Sequence, residues 1–203
     1  MMEREKGERA LYVGRFQIFH TGHLEVAKYI SSQEGIGTLV VAIGSTQYSR
    51  HEKHPFAPWI LNPFTFEERK GMVASSLDGV VDDYEIIGVP DAHDTEMWMR
   101  IMAYRTQPDV FYSNSPSERE EALRQGIDVC DFPAVDGCLH AQVIREMMLH
   151  DDAWERYVPE TTERYMKDEG LVDVLKGFYR MHRDEIPAVH DMQRAKGIRP
   201  YGE

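Results

Sequence analysis

The sequence predicts an α/β fold built on a doubly wound parallel sheet, followed by a helical C-terminal part. Three observations carry that expectation. Short, mostly apolar runs of strand length recur at residues 10–13, 38–43, 84–89, 109–112 and 127–130. Their continuous rather than alternating hydrophobicity suits strands covered on both faces. Segments with helical spacing or helix-start signals separate them, and that alternation is the mark of a parallel sheet.

The elements follow in order. Residues 10–13 form a first strand that Gly14 ends. Residues 23–30 place Leu24, Val26, Ala27 and Ile30 toward one side of a helix. The second strand, 38–43, ends at Gly44. A polar loop from 45 to about 64 holds Pro55, Pro58 and Pro63. Thr65-Phe66-Glu67-Glu68 is a capping box, in which the threonine accepts from a first-turn amide and the glutamate reaches back. A helix to about Leu77 is expected, then a strand at 84–89, a helix at 95–104 and a strand at 109–112. Ser115-Pro116 starts a helix with proline at its first position, and that helix stops before Gly126. After a short strand at 127–130, residues 140–182 read as helices. The expected division is a sheet domain at 1–135, a helical part at 136–183 and a loose tail at 184–203.

Composition limits the function classes. The 203 residues carry a formal net charge of −12, which disfavours nonspecific binding to nucleic acid or an anionic membrane. No apolar run approaches the roughly 20 residues that span a bilayer, and residues 1–9 hold no apolar signal core. A cytoplasmic location is expected. Cys130 and Cys138 form no metal-ligand array and read as free thiols. His51 and His54 lack the further ligands of a tetrahedral site, so no protein metal site is expected.

The chemistry is expected at His20-Thr21-Gly22-His23, where the first strand hands over to the first helix. Free N–H groups at a helix start can face an anion. Gly22 has no side chain to keep a phosphate from the backbone. His20 and His23 flank the helix start and can donate to the same phosphoryl oxygens, and Arg15 offers a planar charged fork. A substrate that brings its own phosphate needs no nucleophilic side chain, so catalysis would be positioning and charge stabilisation. The sheet topology expected here binds ligands at the carboxyl ends of the strands. Those ends are Gly14 to His23, Gly44 to Ser49, Val89 to Asp91 and Tyr112 to Asn114.

Gly14-Arg15-Phe16-Gln17-Ile18-Phe19-His20-Thr21-Gly22-His23 resembles the signature of the HxGH nucleotidyltransferases, whose sheet is Rossmann-like. The resemblance is nearer to archaeal-type nicotinamide-nucleotide adenylyltransferases. It extends through Asn62-Pro63-Phe64-Thr65, Glu68-Arg69, Val89-Pro90-Asp91, Trp98, residues 112–116, Ile144-Arg145, Trp154 and Val158-Pro159-Glu160. It implies that ATP and nicotinamide mononucleotide give NAD and pyrophosphate, with Mg2+ accompanying ATP. It implies catalytic roles for His20, His23, Arg15 and Arg145. Gly14, Phe16, Gln17, Gly22, Asn114, Arg119, His140 and Gln142 would bind ATP and its phosphates. Asp91, Thr95 and Trp98 would bind the nicotinamide, with Trp98 stacking on the pyridinium ring, as indole attracts a flat cation. A homo-oligomer is also implied.

Several positions depart from the family pattern. A second phosphate motif usually reads Ile-Ser-x-Thr-x-Ile-Arg, and residues 139–145 keep its arginine but carry His140 and Gln142 for the hydroxyl residues. Ile18 replaces a proline and Thr95 an asparagine. Residues 50–61 look like an insertion, in which Phe56 and Trp59 would form a lid, a subunit contact or local packing. The alternatives are a related enzyme acting on pantetheine phosphate or a sugar or alcohol phosphate, with ATP or CTP, and a nucleotide sensor with little turnover. Trp98 also has the reading of a helix residue packed in the core, and Asp91 that of a carboxylate at a helix start.

Overall fold

The computed structural model describes residues 7–51, 61–92 and 94–185, with Asp191, Arg194 and Ala195. His54, Phe56 and Trp59 lie outside the described residues, as does most of the tail expected at 184–203. The chain divides into two compact units. One takes the described parts of Met1–Arg15, Gly22–Gln47 and Leu77–Asp136, the other those of Phe16–Thr21, Tyr48–Ser76 and Gly137–Glu203.

The first unit carries a five-stranded, wholly parallel sheet. Its strands are β1 (Glu8–Gly14), β2 (Ile36–Ile43), β3 (Tyr84–Gly88), β4 (Val110–Tyr112) and β5 (Asp128–Cys130), in the order β3-β2-β1-β4-β5. The order reverses between β1 and β4, which is the doubly wound, Rossmann-like α/β arrangement that the strand-helix alternation predicts. Helices α1 (Thr21–Ser31), α3 (Thr95–Thr106) and α4 (Pro116–Arg124) intervene. Leu11, Val40, Ala42 and Phe111 from the sheet pack with Met99 and Met102 of α3 and Ala122 of α4. The continuous apolar runs are therefore buried strands.

Element ends differ from expectation where partners outside the run decide them. β1 and β2 each begin two residues before their apolar runs. There the backbones approach so closely that a Cβ on Gly7 would meet the Gly37 nitrogen at 2.7 Å, and one on Gly37 would meet the Gly7 Cα at 2.7 Å. Glu8 and Arg9 join β1 because the Glu8 N–H reaches Gly35 O at 2.8 Å and the Arg9 N–H reaches Asp109 Oδ2 at 2.8 Å. Arg9 also donates to Thr106 O at 3.0 Å and Gln107 O at 3.2 Å, satisfying carbonyls at the end of α3.

The second unit contains α2 (Phe66–Leu77, all but its last residue), α5 (Ala141–Leu149), α6 (Glu160–Asp168) and α7 (Leu171–Met181). The capping box forms as expected: Glu68 Oε2 accepts from the Thr65 N–H at 2.8 Å, and Thr65 Oγ1 accepts from the Glu68 N–H at 3.3 Å. In α7 the buried Leu171, Leu175 and Phe178 recur at helical spacing. Ser76 and Thr162 share a buried hydroxyl bond of 2.6 Å between α2 and α6. Among the described residues, no helix is long and apolar enough to cross a membrane.

Candidate active site

In the sheet unit, the reversal of strand order puts Gly14 and Tyr112, the last residues of β1 and β4, on neighbouring strands. Gly44 follows β2 and donates its N–H to Gly14 O at 2.9 Å. Arg15 is exposed just beyond Gly14, while Gly22 is buried in the first turn of α1 and His23 is half-buried beside it. The first turn of α1 carries no acidic residue. No carboxylate within that turn offsets the partial positive charge of the helix N-terminus.

Asn114 and Arg119, expected at the ATP, are engaged within this unit. Asn114 exchanges two bonds with the Phe132 backbone, at 2.9 and 3.3 Å. Arg119 donates to Ser113 O at 2.9 Å and pairs with Asp131. Both side chains thus tie the loop after β4 to the segment after β5.

The residues expected at the nicotinamide lie together after β3. Asp91 and Thr95 are exposed, and Trp98 is partly buried against the sheet core. The core-packing reading of Trp98 therefore holds for part of the ring. The start of α3 is capped not by Asp91 but by Asp94, whose Oδ1 accepts from the Met97 N–H at 2.7 Å. Ser45 and Gln47 hold Asp91, and neither had a stated role from sequence. Ser45 Oγ donates to Asp91 Oδ2 at 2.7 Å. Gln47 donates to Asp91 O at 3.0 Å and accepts from the Asp91 N–H at 3.0 Å.

The second unit holds Phe16 to His20. Phe16 is buried in a left-handed conformation, with φ 46°. Such a conformation costs a non-glycine residue of order 1 kcal/mol or more and persists only where surroundings enforce it. Gln17 was expected to face ATP. Instead it is 4 % exposed, and its side-chain amide is spent internally. It donates to Phe64 O at 3.3 Å and to Asn62 Oδ1 at 3.4 Å, and accepts from the Phe64 N–H at 3.0 Å. Asn62-Pro63-Phe64 therefore braces this loop, a role the sequence did not reveal. Ile18 is fully buried with φ 155°, a conformation closed to the proline that the family pattern has there.

Arg145 is 3 % exposed and donates through Nη1 to Gln17 O at 2.7 Å. Its buried Nε makes no hydrogen bond among the described residues. The structure thus places Arg145 beneath the loop backbone. His140 stands at the N-cap of α5, exposed and without a side-chain cap bond, and Gln142 is half-buried in the first turn. Burial and then the charge of His140 push the His20 imidazole down to about 4, so His20 is neutral at physiological pH.

Residues 11–125 match the family model described as cytidylyltransferase-like. Fold and sequence together define the class: the chain is a nucleotidyltransferase. A nicotinamide-nucleotide adenylyltransferase of Thermoplasma acidophilum is 32 % identical over 162 residues, 78 % of this chain and 85 % of that protein. Another from Archaeoglobus fulgidus is 32 % identical over 168 residues, 79 % of this chain and 91 % of that protein. A third, from Methanoculleus marisnigri, is 29 % identical and spans 93 % of this chain and 98 % of its own length. The chain belongs to the nicotinamide-nucleotide adenylyltransferase family. In fold it is similar to a bifunctional NMN adenylyltransferase/ADP ribose pyrophosphatase from Francisella tularensis, solved with AMP and a manganese ion, with a TM-score of 0.69 and 19 % identity. That match covers 93 % of this chain but 56 % of the bifunctional one.

Proposed function

We propose that this protein transfers the adenylyl group of ATP to nicotinamide mononucleotide, giving NAD and pyrophosphate. The observation that carries the reading is the start of α1, where buried Gly22 lies between His20 and His23 in a first turn free of acidic residues. Membership in the adenylyltransferase family supplies the substrate pair.

A phosphate oxygen of the mononucleotide attacks the α-phosphorus of ATP. The new P–O–P bond forms as the bond to the β-phosphate oxygen breaks, and pyrophosphate leaves with that electron pair. His20 and His23 donate to the phosphoryl oxygens, and the exposed Arg15 takes a phosphate as a planar fork. His20 is neutral in the ligand-free protein, so it meets an arriving phosphate as a directed N–H, and a bound phosphate would draw its pKa upward. Gln17, Phe16 and Arg145 act by fixing the loop that presents His20. Gly14, Asn114, Arg119, His140 and Gln142 complete the nucleotide contacts, and Asp91, Thr95 and Trp98 receive the pyridine ring.

Among the described residues, no group of three or more His, Cys, Asp or Glu side chains could hold a metal ion. Magnesium would accompany the triphosphate and neutralise part of its charge. The homo-oligomeric state and cytoplasmic location expected from sequence are part of this proposal.

The test is pyrophosphate release by the purified chain with ATP and magnesium, using nicotinamide mononucleotide, nicotinate mononucleotide and pantetheine phosphate in turn. Turnover with nicotinamide mononucleotide, reduced at least about a hundredfold in His23→Ala, is the expected result. Turnover with pantetheine phosphate alone would transfer the reading to the related acceptor class. ATP binding without pyrophosphate release from any acceptor would favour a nucleotide sensor.

A further inference from the structure

Three consecutive residues after β2 grip the segment after β3. Ser45 is 2 % exposed and left-handed, with φ 54°. A non-glycine residue held in that conformation is strained. Here it turns the hydroxyl onto Asp91 Oδ2, at 2.7 Å. The Thr46 N–H reaches Val89 O at 3.4 Å. Gln47 then pairs in both directions with the Asp91 backbone, each bond 3.0 Å. Its side-chain amide imitates one more rung of sheet, where β2 and β3 have already stopped pairing.

The consequence falls on an exposed carboxylate. Exposed aspartates ordinarily sample several rotamers, but Asp91 has its backbone pinned by Gln47 and one oxygen occupied by Ser45. Its other oxygen, Oδ1, has a fixed direction. The Ser45 hydroxyl and the Gln47 amide are the partners that fix it, and both bonds come from the segment after β2.

We propose that Ser45 and Gln47 are specificity-determining positioning residues. They aim Asp91 at the ring substituent of the acceptor, so that a mononucleotide bearing a carboxamide is selected over one bearing a carboxylate. This rests on the reading of the acceptor as a pyridine mononucleotide. A carboxamide N–H donates to Asp91 Oδ1. A ring carboxylate has no proton to offer and meets a like charge held in place. A site that hydrogen-bonds a substrate N–H disfavours an analogue lacking it, and a like charge at that position adds to the penalty.

The experiment uses the full chain with ATP and magnesium, and compares kcat/KM for nicotinamide and nicotinate mononucleotides. The wild type is expected to prefer the amide by about tenfold or more, the factor that a single hydrogen bond to a charged, solvent-accessible group supplies. Ser45→Ala retains the backbone but frees Asp91 Oδ2, and should cut that preference about fivefold. Gln47→Leu should raise the KM for the amide about tenfold, with kcat and the KM for ATP within about twofold. Asp91→Asn, which can donate to a carboxylate, should narrow or invert the preference. An unchanged acceptor ratio in both Ser45→Ala and Gln47→Leu overturns the proposal, as does an equal rise in KM for ATP and acceptor. Equal wild-type use of the two acceptors also overturns it, while leaving adenylyl transfer intact. A wild type that uses neither acceptor overturns the underlying substrate reading instead.

Discussion

Arg145 Nη1 donates to the carbonyl oxygen of Gln17 at 2.7 Å, joining residues 128 positions apart. The buried guanidinium is thus committed to backbone two residues before Phe19 and three before His20. An arginine that holds a loop and an arginine that binds phosphate predict different kinetics. Arg145→Lys keeps the charge but loses the planar fork. If Arg145 positions the loop, kcat should fall at least about tenfold, with the KM for ATP changed less than about threefold. A large rise in the KM for ATP, steep in salt, would instead mark direct phosphate contact. Arg145→Ala should also lower unfolding free energy by about 2–4 kcal/mol, since it leaves a cavity and an orphaned carbonyl.

Gln17 is a sharper probe of the same brace. Its amide donates to two oxygens, Asn62 Oδ1 and Phe64 O, and accepts from the Phe64 N–H. Gln17→Glu has the same shape but no donor. It would place a buried acceptor against two oxygens, costing about 2–4 kcal/mol in urea unfolding. Activity measured well below the unfolding transition should fall with it. Full activity and wild-type stability in Gln17→Glu would mean that the brace does not support the site.

The contrast between local and distant partners explains what could be read from the sequence. The capping box Thr65–Glu68 was legible because both partners lie three residues apart and the pattern itself names the bonds. The strands were legible because burial on both faces leaves a continuous apolar run. His20, Gly22 and His23 could be proposed as a phosphate site because they fall within four residues just after a strand. Gln17 was not, since a glutamine in a loop says nothing about Asn62 and Phe64 until the fold brings them together. The same holds for Ser45 and Gln47 with Asp91, about 45 positions away. The start of β1 was missed because a close glycine contact and the carboxylate of Asp109, rather than hydrophobicity, extend it.

Arg50 adds a long-range tie to the capping box. It donates to Glu68 at 2.6 Å through each of two nitrogens and to Pro63 O at 3.0 Å. Burial works to raise the Glu68 carboxyl, but the bonds from Arg50 and Thr65 outweigh it and hold the group below its ordinary value. A depressed carboxyl contributes stability above its unfolded pKa, and that contribution is lost as pH falls through the folded value. Thermal stability should therefore drop below about pH 4.5, less steeply in Glu68→Gln. At pH 7, Arg50→Ala should cost about 1–3 kcal/mol, because it strands a partly buried carboxylate. No loss in Arg50→Ala would show that water replaces the guanidinium without penalty.

His20 gives the prediction that bears most directly on the phosphate site. Its imidazole is lowered from 6.5 to about 4, chiefly by burial and then by His140. Between those values the unfolded chain binds a proton that the folded chain refuses, so stability falls as pH drops from about 6.5 toward 4. The loss at pH 5 should be on the order of 1–2 kcal/mol, allowing for partial solvent screening of a half-buried group. Urea unfolding across this range, compared with His20→Asn, isolates the contribution: the variant should show a flatter profile. A proton NMR titration of the ligand-free protein reads the same group directly. A midpoint near 4 means that an arriving phosphate finds a neutral N–H donor, and that kcat/KM should show no change traced to His20 protonation between pH 6 and 8. A midpoint near the ordinary histidine value would mean that His20 carries charge in part of that range. The slope of kcat/KM with pH would then have to be reassigned to it.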